Sequence, residues 1–182
     1  MQKLLVSLVG LLLFSCSGPK VVSTEVADNI KWSNFKTFDF YNTEASGDTG
    51  AGRFASSIAL LKQTITAELQ EKGLRQKSSA PDLLVNLGVV VKEKVQTRET
   101  NFANDAPKYI GQRRYSWKSQ EVEVGRYREG TLSMDIVDPR ENMLIWKGVV
   151  ESIVLNNDNK LQKSIQEGVT KLLQNFPRPL RR

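Results

Sequence analysis

Hydrophobic and polar positions change period several times along this chain, and each change marks an element. Phe54, Ile58, Leu61, Ile65 and Leu69 recur at spacings of four and three, which places them on one face of a helix of about five turns. Gly73 stands where that helix needs a left-handed C-terminal cap. Beyond Pro81-Asp82 the period falls to two: Leu83, Val85, Leu87, Val89 and Val91 take one face of a strand. Leu84, Asn86, Gly88 and Val90 take the other, so this strand is central and covered on at least one side. The same alternation returns in Arg126 to Val137, with Leu132, Met134 and Ile136 on one face and Thr131, Ser133 and Asp135 on the other. Asp138-Pro139-Arg140-Glu141-Asn142 has turn chemistry, and Met143 to Leu155 returns as the antiparallel partner. Asn156 to Asn159 offers N-cap candidates for a closing helix with its stripe at Leu161, Ile165, Val169, Leu172 and Phe176, stopped by Pro177 and Pro179.

Weaker patterns fill the remainder. Trp32 to Tyr41 holds Phe35, Phe38, Phe40 and Tyr41 and predicts a first strand. Asn42 to Gly52 reads as a loop, residues 97–112 as irregular, and Tyr115 to Val124 as a further loosely alternating strand. The order is strand, helix, several antiparallel strands, helix. It predicts an α+β fold: an antiparallel sheet of four to five strands with both amphipathic helices packed on one face.

The N-terminus carries an address. Met1-Gln2-Lys3 is a small positive n-region, and Leu4 to Phe14 is an apolar run too short to span a bilayer, which needs about 20 residues. It closes on Leu13-Phe14-Ser15-Cys16, and Cys16 is the only cysteine of the 182 residues. This arrangement resembles a bacterial lipoprotein processing site. On that reading residues 1–15 are a signal peptide, Cys16 is lipidated, and residues 16–31 are a tether. Residues 32–182 then form a single domain. Stable anchoring needs more than one acyl chain, which a diacylglycerol plus an N-acyl group supplies. Ser17, rather than Asp, after Cys16 points by analogy to the outer membrane. The absence of an acidic run there favours a domain facing the periplasm.

Composition removes chemistry more than it adds any. There is no histidine, so a Ser-His-Asp triad, a Cys-His pair and histidine metal ligation are excluded. No Gly-rich phosphate loop occurs, and a lipidated Cys16 leaves no thiol. No catalytic residue, cofactor or metal site is expected. Hydrophobic and charged fractions of 40% and 25% are ordinary for a globular domain. The net charge is +6, and part of it falls in a basic-aromatic cluster: Arg113, Arg114, Tyr115, Trp117, Lys118, Arg126, Tyr127 and Arg128, interleaved with Glu121, Glu123 and Glu129. Arg suits phosphate and carboxylate, and aromatic faces suit sugars. Export argues against nucleic acid, which leaves an anionic glycan, lipid headgroup or envelope protein as partner. The bland alternative is a solvated strand pair with cross-strand ion pairs.

Other candidates have bland readings of the same kind. Asp135 and Asp138 could hold a cation, or Asp138 opens a turn. Trp146 could stack on a sugar, or sit in the core. Asp82 could be an acid, or shape a loop-to-strand junction. Asn86 is expected half-buried, satisfying a backbone group.

Trp32-Ser33-Asn34-Phe35-Lys36-Thr37-Phe38, Pro81-Asp82-Leu83-Leu84-Val85, Glu129-Gly130-Thr131-Leu132, Asp135-Ile136-Val137-Asp138, Ile145-Trp146-Lys147-Gly148 and Asn175-Phe176-Pro177 occur in that order. In these the chain resembles the bacterial envelope lipoprotein family catalogued as a domain of unknown function, serial four-one-three-six. The resemblance covers nearly the whole mature chain and implies a small α+β envelope lipoprotein. It carries over no catalytic residues. The expected function is therefore a noncatalytic, membrane-anchored binding or structural module. The alternative is a carboxylate-based glycan hydrolase, which would need two carboxyls about 5–9.5 Å apart in a cleft.

Overall fold

A six-stranded sheet with two helices on one face organises the molecule in a computed structural model that describes residues 18–47, 53–101, 105 and 118–177. The strands are β1 (Lys20–Val26), β2 (Thr37–Gly47), β3 (Arg75–Gln76), β4 (Leu83–Glu99), β5 (Glu121–Asp138) and β6 (Met143–Ile153). The helices are α1 (Arg53–Glu71) and α2 (Asp158–Leu173). Strand order is β1-β6-β5-β4-β2-β3.

The β5–β6 hairpin and both helices form where the hydrophobic periods place them. Their ends are set by local chemistry. Asn157 caps α2, its side chain accepting from the Lys160 N–H at 3.0 Å. At the end of α1, Gly73 takes φ +99°, its N–H donates to the Gln70 carbonyl, and the Leu74 N–H reaches back to Leu69. That is a Schellman cap, with Leu69 and Leu74 both buried. Asn142 in the β5–β6 turn adopts φ +49°, a conformation Asn tolerates.

Four expectations are corrected. The sheet has six strands rather than four to five, and it is not wholly antiparallel: β2 runs parallel to both β3 and β4. The reason is α1, which carries the chain across between β2 and β4, and a parallel pair requires such a crossover. Next, residues 20–26, read as tether, form β1 at the sheet edge, paired antiparallel with β6. Third, Trp32–Asn34 is a 3-10 turn, and β2 begins only at Thr37 and runs on to Gly47, through half of the expected loop. Finally, residues 121–124 and 126–137 do not belong to two strands: Glu121–Asp138 is one, pairing with β4 as far as Glu99↔Glu121, while Tyr115 to Trp117 of the expected strand lie outside the described residues.

The core lies between the sheet and the helices. Val85, Leu87, Leu132, Met134, Ile136 and Val150 from the strands meet Leu61, Ile65 and Leu69 of α1 and Val169, Leu172 and Leu173 of α2. Alternation puts these strand residues on one face, and burying them drives the assembly. Trp146, Phe176, Trp32 and Phe35 close one end through edge-on contacts at ring separations of 5.2–6.0 Å. Gly148 makes room for this packing, since a Cβ there would lie 2.4 Å from the Trp146 ring. The Thr170 hydroxyl donates to Glu68 at 2.6 Å and ties α2 to α1. Beyond Lys92 and Glu129 the paired β4 and β5 leave the helices and continue as a ribbon whose β4 side, Lys92–Glu99, is exposed throughout.

Candidate functional site: an apolar cavity between the helices

Near the start of the ribbon, α1, α2 and the central strands line a half-open cavity of about 150 Å³. Ile58 and Leu61 of α1, Leu161 and Ile165 of α2, and Val89, Leu132 and Val150 of the sheet contribute its walls. These are members of the very stripes that specify the elements. The polar groups at the wall are few. Ser152 and Ser164 face each other, their hydroxyls 2.7 Å apart, so each satisfies the other. Arg128 lines the cavity and donates to Asn156 Oδ1 at 2.6 Å. No Asp or Glu is among the described residues of the wall.

Pro19 also stands in this wall. It is buried, its ring lies against Gly168 of α2, and its carbonyl accepts from Lys171 Nζ at 3.2 Å. A Cβ on Gly168 would meet that ring at 3.4 Å, an ordinary van der Waals contact. The chain is thus fixed three positions after Cys16.

Of the candidate site residues singled out from the sequence, Arg128 is the one that the described wall contains. Cys16, Arg113, Arg114, Tyr115 and Trp117 lie outside the described residues. Lys118 is exposed ahead of β5. Arg126 on the ribbon pairs with Glu123 at 2.7 Å and with Glu93 across the strands at 3.6 Å, and Lys94 pairs with Glu129 at 2.9 Å. The hydrogen bond from Arg126 holds the Glu123 carboxyl below the usual range. Glu93–Arg126 and Lys94–Glu129 are cross-strand ion pairs of the kind the bland alternative expects, while Glu123–Arg126 lies within β5; surface pairs of this sort contribute little. Arg126 and Arg128 flank a shallow recess with Tyr127 and Ile153 to Asn156.

Asp135 and Asp138 point to opposite faces of β5. Asp135 lies beside Lys147 on the face away from the helices. Asp138 is buried and accepts from the Arg140 N–H at 2.9 Å, which shapes the turn. Among the described residues no group of three or more Asp, Glu, His or Cys could hold a metal ion. Trp146 is 1% exposed and belongs to the core. Asp82 is a junction residue: its Oδ2 accepts from the N–H groups of Lys36 and Thr37 and from the Thr37 hydroxyl, all within 3.0 Å. Asn86 is half-buried as expected, but its side-chain oxygen has no hydrogen-bond partner, so it satisfies no backbone donor. Sequence reading missed the cavity altogether, because its lining is indistinguishable from core. The β-branched run at Val21, Val22, Thr24 and Val26 was the signal for β1, and with it for a docked Pro19.

Fold and site together define a small α+β domain with a single layer of helices on a mixed sheet. The chain belongs to the family described as Domain of unknown function (DUF4136), which matches residues 22–178. It is similar in fold to a DUF4136 family protein from Bacteroides thetaiotaomicron, at 11% identity and TM-score 0.51, with 89% of this chain and 97% of the other covered. It is also similar in fold to a PDZ domain protein from Parabacteroides distasonis, at 17% identity and TM-score 0.51 over 88% of this chain. The chain spans about a third, 36%, of that protein's length. No curated protein matches the chain at a significant level. No helix among the described residues is long and apolar enough to cross a membrane.

Proposed function

We propose that the protein is a noncatalytic binding module held on a bacterial envelope membrane by lipid on Cys16, facing the periplasm from the outer membrane. The observation that carries this reading is the apolar cavity between α1 and α2, with Pro19 in its wall. A cavity of aliphatic side chains whose hydroxyls pair with each other is suited to holding an apolar group. Among the described residues its wall holds no pair of carboxyls for glycoside hydrolysis. The lipid supports the same reading. Three extended residues reach only about 10 Å, so an anchor on Cys16 holds Pro19 and its surroundings near the bilayer surface.

The test starts from the membrane fraction of cells making the native protein. The N-terminal peptide is expected to begin at Cys16 and to carry diacylglycerol and an N-acyl chain by mass spectrometry. After brief cross-linking and mild-detergent extraction, a stoichiometric partner is expected, and is lost with Cys16→Ser. A protein that keeps Met1, or fractionates as a soluble species with unmodified Cys16, overturns the anchoring.

A further inference from the structure

Pro19 links two features that the chain separates: the cavity and the residue proposed to bear lipid. We propose that the cavity between α1 and α2 seats the end of one acyl chain carried on Cys16 of the same molecule. This rests on the reading of Cys16 as lipidated.

The shape and chemistry of the cavity agree with a hydrocarbon end. Its volume is about 150 Å³, it is open on one side, and its lining is mostly aliphatic, as suits the uptake of a small hydrocarbon group. Ile58, Leu61, Val89, Leu132, Leu161 and Ile165 offer only carbon. The polar groups of the wall are few beside these: Ser57, Thr131, Arg128, and the Ser152 and Ser164 hydroxyls, which share one hydrogen bond of 2.7 Å. A void forfeits dispersion contacts around its whole wall, and a chain end restores them.

Position selects the chain. The Pro19 ring is clamped against Gly168, and its carbonyl is held by Lys171. Cys16 therefore cannot stray more than about 10 Å from the cavity wall. A ligand tethered that closely competes at a local concentration in the millimolar range, above any free fatty acid. Moving the chain from bilayer to cavity exchanges one apolar surrounding for another, so hydrophobic burial is nearly balanced. Proximity and the filling of the void then decide in favour of the seat.

The experiment uses a fatty acid bearing a diazirine at its methyl end, with mass spectrometric mapping of photo-cross-links. The Cys16→Ser protein, secreted and unlipidated, has the cavity but not the chain. It is expected to be labelled saturably on α1 near Ile58 and on α2 near Ile165. Val89→Phe and Leu161→Phe fill the space from different elements, and each is expected to reduce labelling about tenfold or more while circular dichroism confirms a folded domain. Using both keeps the test open if one variant does not fold. The native lipidated protein in phospholipid nanodiscs is expected to exclude the probe to the same degree, because its own chain is already there. Absent labelling of Cys16→Ser, or labelling indifferent to a folded filled variant, overturns the hydrocarbon seat. Equal labelling of native and Cys16→Ser proteins overturns the anchor as its occupant and leaves free lipid. Failure of the anchoring itself is read separately, from the mass of the Cys16 peptide.

Discussion

Asp82 shows how one side chain can join two strands that are distant in sequence. Its carboxylate gathers three donors from Lys36 and Thr37, and its own N–H donates to the Thr37 hydroxyl at 3.0 Å. This reciprocal clamp fixes the starts of β2 and β4 side by side, at the register Phe38↔Leu83. Burial alone would push the Asp82 carboxyl upward. The donated hydrogen bonds and the charge of Arg140 outweigh it, and the group sits below its ordinary value of 3.8. A lowered folded pKa means stability that is fully present above the unfolded value and lost as pH falls through the folded one. Asp82→Ala is accordingly expected to lower unfolding free energy by about 1–3 kcal/mol at pH 7, the usual range for hydrogen bonds to a charged group. The deficit should shrink as pH drops below about 4. Urea unfolding of both proteins at pH 7 and pH 3 checks this, and an equal deficit at both would mean the charge plays no part.

At the scale of elements, the long β4–β5 pair divides into two regimes. From Leu83 to Val91 its side chains pack under α1 and α2, whereas Lys92–Glu99 is exposed and held by ladder hydrogen bonds and surface ion pairs. Surface pairs contribute little, so the ribbon opens without unfolding the core. Amide exchange at Val95 to Arg98 is expected to be at least about a hundredfold faster than at Val85 to Val89. Equal protection would show that something covers the ribbon in solution. The alternation of Val85, Leu87 and Val89 was readable in the chain because the buried face repeats every second residue. The β4 side of the ribbon was not, because Lys92 to Glu99 has no apolar face to repeat. Its strand character comes only from the partner strand.

For the whole molecule, β1 decides where the domain begins. Its pairing covers the outer edge of β6, and Pro19 ahead of it docks on α2. A tether over residues 16–31 could be cut away at no cost. As an edge strand it cannot. Starting the mature chain at Ala27 is expected to cost about 2–4 kcal/mol of stability and to expose the β6 edge to association. Thermal unfolding with size-exclusion chromatography at increasing concentration reads both effects. An unchanged melting temperature and a monomer at all concentrations would return these residues to the role of a simple linker.

Local rules of the sequence were sufficient for the helices, their caps at Asn157 and Gly73, the β5–β6 hairpin and its turn, since each depends on contacts a few residues apart. The exclusion of histidine chemistry also follows from residue identity alone. The parallel placement of β2 beside β4 needed tertiary structure, because pairing direction depends on the path of α1 between them. So did β1, whose polar, β-branched run is stable only against β6. The cavity is the furthest from the sequence: Ile58, Leu61 and Ile165 carry the same periodic signal as fully packed neighbours. Only the way α1 and α2 pack on the sheet decides that space remains between them.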